Sequence, residues 1–167
     1  MLEIVQIVTV VVVAIVMSLP LAHALEWPGK LRLSKEHYFA MQPIYYPGFT
    51  YAGFAEPLSL LVVLILLILT PMGTGQFWST AGAFLALLTM HATYWVLTHP
   101  VNNFWLEGFK LQGFARRFFK VGVSEQSSPM DSEWTRLRDR WEFSHMIRAI
   151  LGLVSLVLIV VAVVYGN

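Results

Sequence analysis

The stretch "WEFSHMIRAILGLVSLVLIVVAVVY", residues 141–165, combines two features that conflict with each other. From His145 onward it is almost continuously apolar for about 20 residues, the length of helix that crosses roughly 30 Å of hydrocarbon. It nevertheless opens with Glu142, His145 and Arg148, which are spaced three apart and therefore share one side of a helix. Because an ionisable residue inside a membrane span needs a partner there, such a residue usually marks a functional site.

The composition of the whole chain is that of a membrane protein. Of its 167 residues, 57% are hydrophobic and 13% are charged, whereas a soluble domain has about 25% charged residues. Three further segments are apolar enough to span a bilayer, at about residues 4–25, 54–69 and 77–97, before the last one at 145–165. We therefore predict an all-α fold, a single domain over residues 1–167 that forms an integral membrane four-helix bundle.

The positive charges lie on one side of this predicted bundle. Four spans place both termini on one side of the membrane and residues 26–53 and 99–142 on the other. All eleven Lys and Arg residues fall in those two segments or in the first turns next to them. The positive-inside rule then predicts a multi-pass protein, expected in a bacterial inner membrane, with cytoplasmic loops and both termini non-cytoplasmic.

The charge and composition of the chain also indicate its expected partners. A net charge of +1 gives no reason to expect nucleic acid. Membrane lipids and a lipophilic small molecule are the expected partners, with a homo-oligomer or a membrane-complex partner as open alternatives.

Within the larger loop, "NFWLEGFKLQGFARRFFK", residues 103–120, mixes aromatic and basic residues, which predicts an interfacial amphipathic helix between the third and fourth spans.

With this topology, the ionisable residues of all four spans gather at the cytoplasmic end of the bundle. The pairs His23 with Glu26 and Glu142 with His145 are each spaced three apart on antiparallel helices, so that their imidazoles can meet at one depth. Four-helix bundles hold two irons with such pairs and two further carboxylates. The chain has no cysteine, so a metal or haem would have to be held by His, Glu, Asp, Asn, Tyr or Met, and His and Glu are the types that gather here. The candidate metal ligands are His23, Glu26, Glu56, His91, Glu142 and His145.

Simpler interpretations stay open for several of these residues. Glu26 can end the first helix in water, and Glu142 can form a surface ion pair near Arg138 and Arg140. His91 can be a buried neutral histidine that bonds a neighbouring hydroxyl.

Arg148 is harder to explain in this way because it lies one turn deeper than His145. Trp141, His145 and Arg148 follow the spacing i, i+4, i+7 and so form one stripe. We predict that His145 and Arg148 face the bundle interior and that Arg148 pairs with Glu26 or Glu56.

The sequence "THPVNNFW", residues 98–105, follows the third span. We expect Pro100 to end the helix and Asn102 to bond freed backbone or to point into the pocket. The chain resembles the small four-helix membrane family that includes the fungal anthrone oxygenases. The resemblance rests on length, on four spans, on Pro100 and Asn102 of "HPVN", and on Trp141, His145 and Arg148 of "WEFSHMIR".

The resemblance implies a membrane-embedded oxidoreductase, oxygenase-like, that acts on a lipophilic aromatic or quinol-type substrate without an obvious organic cofactor. An imidazole is suited to take a proton at neutral pH, so His145, or His91, would be the base. Arg148 and Asn102 would stabilise the resulting anion. The residues expected to line an aromatic slot are Tyr45, Tyr46, Phe49 and Trp105.

Two alternatives come from other classes of protein. One is a metal- or haem-binding redox protein that uses His23, His91 and His145. The other is a non-enzymatic lipid- or quinone-binding accessory subunit of a membrane complex.

Overall fold

The computed structural model of the protein describes residues 2–46, 48–105 and 131–166, and within these ranges it is helical and contains no strand. The all-α prediction is therefore confirmed. The predicted interfacial helix over residues 103–120 lies, beyond Trp105, outside the described residues. A 3-10 turn covers Gln42–Tyr45, and a π-helical segment covers Tyr94–Thr98. The helices are α1 (Leu2–Lys30), α2 (Lys35–Met41), α3 (Gly48–Ala52), α4 (Ala55–Leu69), α5 (Gly75–Thr93), α6 (His99–Trp105) and α7 (Asp131–Tyr165).

Three helical stretches are long and apolar enough to cross a membrane: Leu2–Lys30, Gly75–Asn102 and Glu133–Tyr165. The segment predicted as the remaining span, α4, is apolar but has only 15 residues. At 1.5 Å per residue it is about 22 Å long, which is less than the roughly 30 Å of a hydrocarbon core. The structure thus fits a membrane protein with three candidate spans and one shorter apolar helix.

The long helices pack side by side, with α1 and α5 each in contact with both α4 and α7. Val13 and Val16 of α1, Val63 of α4 and Leu87 of α5 are buried in one apolar core. Between α5 and α7, the hydroxyl of Ser155 donates a hydrogen bond to a backbone carbonyl of α5 at 3.1 Å. The outward surface of the same helices consists of exposed aliphatic side chains, as expected for helices that face lipid.

The turn between α4 and α5 is short, as predicted. Gly73 adopts a φ of +82°, a left-handed conformation that glycine reaches without the steric cost of a Cβ. Thr74 then caps α5, because its hydroxyl accepts a hydrogen bond from the backbone N–H of Phe77 at 3.1 Å. This turn fixes α4 and α5 as antiparallel neighbours.

The prediction that Pro100 ends the third span is wrong, because the helix continues through α6. Pro100 has no N–H to donate to the carbonyl of Val96, four residues earlier. Nη2 of Arg140, from α7, donates to that carbonyl instead at 2.8 Å. In the π-helical segment the His99 N–H bonds the carbonyl of Tyr94, five residues earlier, which widens the turn before the proline.

The last helix, α7, begins well before the predicted span and has 35 residues. Its first turns pack against α2 and α6 in a second core, which is aromatic rather than aliphatic. Tyr38, Trp105 and Trp141 are buried there, and Trp134 lies beside them. This aromatic core holds α2, the 3-10 turn and α3 against one end of the bundle.

Candidate functional site

A cavity of about 230 Å³ lies where α1, α4, α5 and α7 meet the 3-10 turn and α3. All four residues predicted to act on a substrate line it, and so do three of the four predicted to form an aromatic slot, Tyr45, Tyr46 and Phe49. Trp105 is the exception: it is 1% exposed, and its ring packs against Tyr38 and Phe39 in the aromatic core. The polar residues of the cavity wall include His23, Glu56, His91, Asn102, His145 and Arg148.

An ion pair between α7 and α4 forms one wall of the cavity. Nη2 of Arg148 donates to Oε1 of Glu56, and the two residues are 4% and 8% exposed. The guanidinium also lies over the ring of Tyr94, 5.1 Å from its centroid. The prediction that Arg148 faces inward and pairs with Glu26 or Glu56 is confirmed, with Glu56 as the partner.

Two buried nitrogen atoms beside this ion pair make no hydrogen bond. One is Nε of Arg148. The other is Nδ1 of His91, which lies 3.5 Å from Oε2 of Glu56, within ion-pair distance but outside hydrogen-bond geometry. Since Nε1 of Trp95 donates to Nε2 of His91 at 3.0 Å, a neutral His91 carries its proton on Nδ1. Both unpaired atoms are therefore N–H donors. Protein interiors rarely leave a buried donor without a hydrogen-bond acceptor.

The imidazoles of His23 and His145 meet in the cavity wall, as the paired spacing predicts. Their ring centroids are 4.2 Å apart, and the indole of Trp141 lies 4.8 Å and 4.2 Å from them. Asn102 holds this indole in place, because its Oδ1 accepts a hydrogen bond from Nε1 of Trp141 at 2.8 Å. Of the two roles expected of Asn102, the structure therefore supports the position in the cavity wall, where Asn102 positions Trp141.

The hydrogen bonds of the two histidines assign their tautomers. Nζ of Lys30 lies 3.2 Å from Nδ1 of His23, and an ammonium can only donate, so that His23 carries its proton on Nε2. Nδ1 of His145 donates to the backbone carbonyl of Trp141 at 2.8 Å, which leaves Nε2 as the acceptor in a neutral ring. Neither Nε2 has a hydrogen-bond partner among the described residues. The pair therefore offers one donor and one acceptor.

A second network lies next to the histidines and is centred on Lys30, which is 2% exposed. Its Nζ is 3.1 Å from Oε2 of Glu26 and 3.4 Å from Oε1 of Glu142. The hydroxyl of Tyr38 donates to Glu142 at 2.8 Å, and that of Tyr45 donates to Glu26 at 2.5 Å. Burial, together with the carboxylates, raises the pKa of both phenols above the ordinary tyrosine value, so both stay protonated donors.

The interpretation of Glu142 as a surface ion pair with nearby arginines is wrong. Glu142 is 1% exposed and bonds Lys30 and Tyr38, whereas Arg138 pairs with its neighbour Asp139 at 2.8 Å. Neither Lys30 nor Tyr38 was predicted to be part of the site. For Lys30 the spacing held a signal, because it follows Glu26 by four residues on the same helix face. For Tyr38 the sequence held none.

The placement of the six candidate metal ligands does not fit a metal ion. In the part of the chain that the structure describes, no three His, Asp or Glu side chains are grouped closely enough to hold one. Glu26 and Glu142 bind Lys30, and Glu56 binds Arg148, so each carboxylate is matched by a cation. The rings of His23 and His145 are in direct contact, which leaves no gap for a haem between them.

The fold fits a helical membrane protein, and the cavity is lined by aromatic, imidazole and ion-paired side chains. Comparison of the chain with protein-family models, with curated proteins and with solved structures found no match. The resemblance to the anthrone oxygenase family therefore rests on the chain length, the predicted spans and the quoted motifs.

Proposed function

We propose that the protein is a membrane-embedded oxidoreductase that takes a proton from a lipophilic aromatic substrate and lets the resulting anion react with oxygen. The observation that carries the proposal is the presence of a hydrogen-bond acceptor, Nε2 of His145, and of unpaired donors on residues that line the same cavity. These donors are Nε2 of His23, Nδ1 of His91 and Nε of Arg148. An acceptor beside several donors suits a substrate that loses a proton and gains negative charge on an oxygen.

The shape and lining of the cavity support an aromatic substrate. Tyr45, Phe49, Tyr94 and Trp141 contribute ring faces and edges to its wall. A volume of about 230 Å³ is below the roughly 300–1,000 Å³ of sites for drug-sized ligands, so a compact ring system is the better match.

For an anthrone-like substrate the proposed steps balance without a further reductant. Nε2 of His145 takes a proton from the activated ring CH₂, and the charge moves onto the substrate carbonyl oxygen, where Arg148 and His23 supply donors. Oxygen adds to the carbon, and the peroxide takes the proton back from His145. Loss of water then leaves a second carbonyl, so that CH₂ and O₂ give C=O and H₂O. Asn102 acts through Trp141, whose indole contacts both imidazoles.

We also propose how the chain lies in the membrane. The short helix α3 and the residues that follow it extend α4, so that residues 48–69 together form the fourth span of a four-helix bundle. The cavity then lies at the cytoplasmic end and both termini lie on the opposite side. The support is the position of the described Lys and Arg residues. They lie either between residues 30 and 35, where α1 ends and α2 begins, or between residues 136 and 148 of α7.

The test uses an anthrone and the protein in lipid nanodiscs, with oxygen uptake and quinone absorbance as readouts. Replacing His145 by Gln is expected to lower the rate by at least about 100-fold, the lower bound for losing a general base. His37→Gln is the matched control, because His37 is exposed and bonds Ser34 away from the cavity. Equal rates for the two variants would refute the proposed role of His145.

Tight binding of the anthrone without oxygen uptake would also contradict an enzymatic function. That result would favour the binding subunit, which uses the same cavity and differs only in having no turnover.

A further inference from the structure

The residues that line the cavity differ in their exposure at the protein surface, and this difference indicates how a ligand reaches the cavity. Of the residues that line the cavity, only Pro57 and Trp95 are exposed, Trp95 by 45%. His91, beside Trp95, has a side chain that is 29% exposed. Apart from the half-buried Tyr46, the remaining polar members of the wall, among them His145 and Arg148 at 4% each, are buried. The open part of the wall therefore lies between the first turn of α4 and the end of α5.

The surface around this opening is apolar on both helices. On the α4 side, Phe54 and Leu58 are 46% and 47% exposed, and on the α5 side Val96 is 64% exposed and Ala92 is exposed as well. Trp95 itself lies within the stretch Gly75–Asn102, which is long and apolar enough to cross a membrane. An opening with such a rim faces acyl chains rather than water, because contact of this apolar surface with water would be unfavourable.

The surface near the opening carries exposed aromatic side chains of the kind found at a membrane interface. Tyr51, Phe54 and Trp95 are all exposed near it, and aromatic side chains of this kind concentrate where the hydrocarbon meets the headgroups. A molecule with an apolar tail and a polar ring rests at the same depth. Just inside the opening, Nδ1 of His91 is a buried donor without a hydrogen bond, so an oxygen atom on an entering ring finds a partner there.

We propose that the ligand of this cavity is a membrane-dissolved phenol or hydroquinone with an alkyl tail, and that it enters sideways from the bilayer between α4 and α5. The ring passes Pro57 and Trp95 with its oxygen toward His91 and the Glu56–Arg148 pair, while the tail stays in the lipid. The inference rests on the proposed function for the location of the site and adds the class of substrate and its route.

The experiment measures binding kinetics in nanodiscs by quenching of tryptophan fluorescence. The probe is a 1,4-benzoquinone with a ten-carbon alkyl tail, the oxidised form of the corresponding hydroquinone. The same ring without a tail is the comparison. When the sample is diluted with buffer at a fixed ratio of probe to lipid, the association rate of the tailed probe is expected to stay constant. A rate that falls in proportion to the dilution would show entry from water and overturn the route.

A variant then tests the position of the opening. Ala92→Phe adds bulk at the rim without touching the cavity wall, and is expected to slow both association and dissociation of the tailed probe by about tenfold, as a gate does, with an unchanged Kd. Leu85→Phe, at a 60% exposed site on the same helix, is the matched control and should bind like the native protein. Unchanged rates in Ala92→Phe would overturn the route.

The two proposals can fail separately. Failure of the native protein to bind the tailed probe, while it still oxidises an anthrone, would overturn the substrate class and leave the proposed chemistry standing. Binding with the expected kinetics, but without any oxidation of the anthrone or of the reduced probe, would refute the enzymatic function and keep the route.

Discussion

Each carboxylate near the cavity has a cationic partner on another residue within reach, and the cations are themselves buried. Arg148 pairs with Glu56, while Lys30 lies between Glu26 and Glu142. Removing two charges from water costs several kcal/mol each, and mutual attraction offsets that cost only while both partners are present. The stability of this end of the molecule is therefore most sensitive to changes that leave one charge behind.

Arg148→Leu is the sharpest case at the scale of single residues. The change leaves Glu56 charged and buried without its partner, so we expect a loss of about 3–5 kcal/mol in the free energy of unfolding. Arg138→Leu is the matched control, because the ion-pair partner of Arg138 among the described residues is Asp139, whose side chain is 60% exposed, so no buried charge is left behind and the expected effect is within about 1 kcal/mol. Thermal unfolding in detergent measures both.

Adding Glu56→Gln to Arg148→Leu should recover part of the loss, since it removes the charge left unpaired. Equal tolerance of Arg148→Leu and Arg138→Leu would mean that the buried pair contributes nothing to stability.

Tyr38 gives the chain a predictable dependence on alkaline pH. Burial, the Glu142 charge and the hydrogen bond to that carboxylate raise the pKa of the Tyr38 phenol, so the folded protein keeps a proton that the unfolded chain releases near pH 10. Stability from this group is fully present below about pH 10 and falls above it, by up to about 1.4 kcal/mol per pH unit.

Tyr38→Phe removes that dependence and also removes a hydrogen bond to a buried charge, worth about 1.5–3 kcal/mol. Its stability should therefore lie below that of the native protein at pH 8 and approach it as the pH rises above 10. Tyr165→Phe, at an 82% exposed site, controls for loss of a hydroxyl. A gap between native protein and Tyr38→Phe that stays constant from pH 8 to pH 11 (within about 0.5 kcal/mol) would contradict the argument.

At the scale of helices, the sequence predicts what depends on periodicity and misses what depends on distant contacts. The stripe of His145 and Arg148 was predictable, because spacing alone determines which residues share a helix face. The continuation of the helix past Pro100 was not predictable. The carbonyl of Val96, which Pro100 leaves free, accepts a hydrogen bond from Arg140, and these two residues are 44 positions apart along the chain. The role of Lys30 was missed because the first helix was expected to end before it.

The short helices α2 and α3 illustrate the same limit. Their seven and five residues are too few to be stable alone, and α2 is held by burial of Tyr38 in the aromatic core. No pattern within so short a segment reveals that contact. The aromatic residues of the cavity, Tyr45, Tyr46 and Phe49, were nevertheless identified, because they were grouped by composition and position rather than by helix assignment.

Close contact between α1 and α7 leads to a prediction about two glycines. A Cβ added at Gly152 would lie 3.1 Å from the Cα of Met17, which is backbone and cannot move without separating the helices. A Cβ at Gly82 would lie 3.2 Å from Cδ1 of Leu158, the end of a flexible side chain. We expect Gly152→Ala to lower stability by about 1–3 kcal/mol, as overpacking does. Gly82→Ala should be neutral or stabilising, since alanine favours a helix by about 1 kcal/mol over glycine.

Thermal unfolding of the two variants in the same detergent tests this prediction. If Gly82→Ala lost as much stability as Gly152→Ala, the tight contact between α1 and α7 would not be the cause.

At the scale of the whole molecule, polarity is distributed unequally between the two ends. The cavity, the buried ion pairs and the aromatic core all lie where α1 ends and α7 begins, whereas the opposite half of the bundle is packed mainly with Val, Leu, Ile and Ala. The cavity lies at the polar end, so the orientation of the chain determines which side of the membrane the cavity faces.

The proposed orientation can be tested cleanly because the chain has no cysteine. Single cysteines are introduced at Met72, 83% exposed in the turn between α4 and α5, and at Arg136, exposed on the first turns of α7. Since the Lys and Arg residues that the structure describes belong to the end that carries Arg136, and positive segments stay in the cytoplasm, we expect that end to be cytoplasmic. A membrane-impermeant maleimide should then label Met72→Cys on intact cells, or on spheroplasts where an outer membrane blocks access, and should label Arg136→Cys only after permeabilisation. The reverse pattern would place the termini in the cytoplasm and the cavity at the outer face, where its substrate would come from the other leaflet.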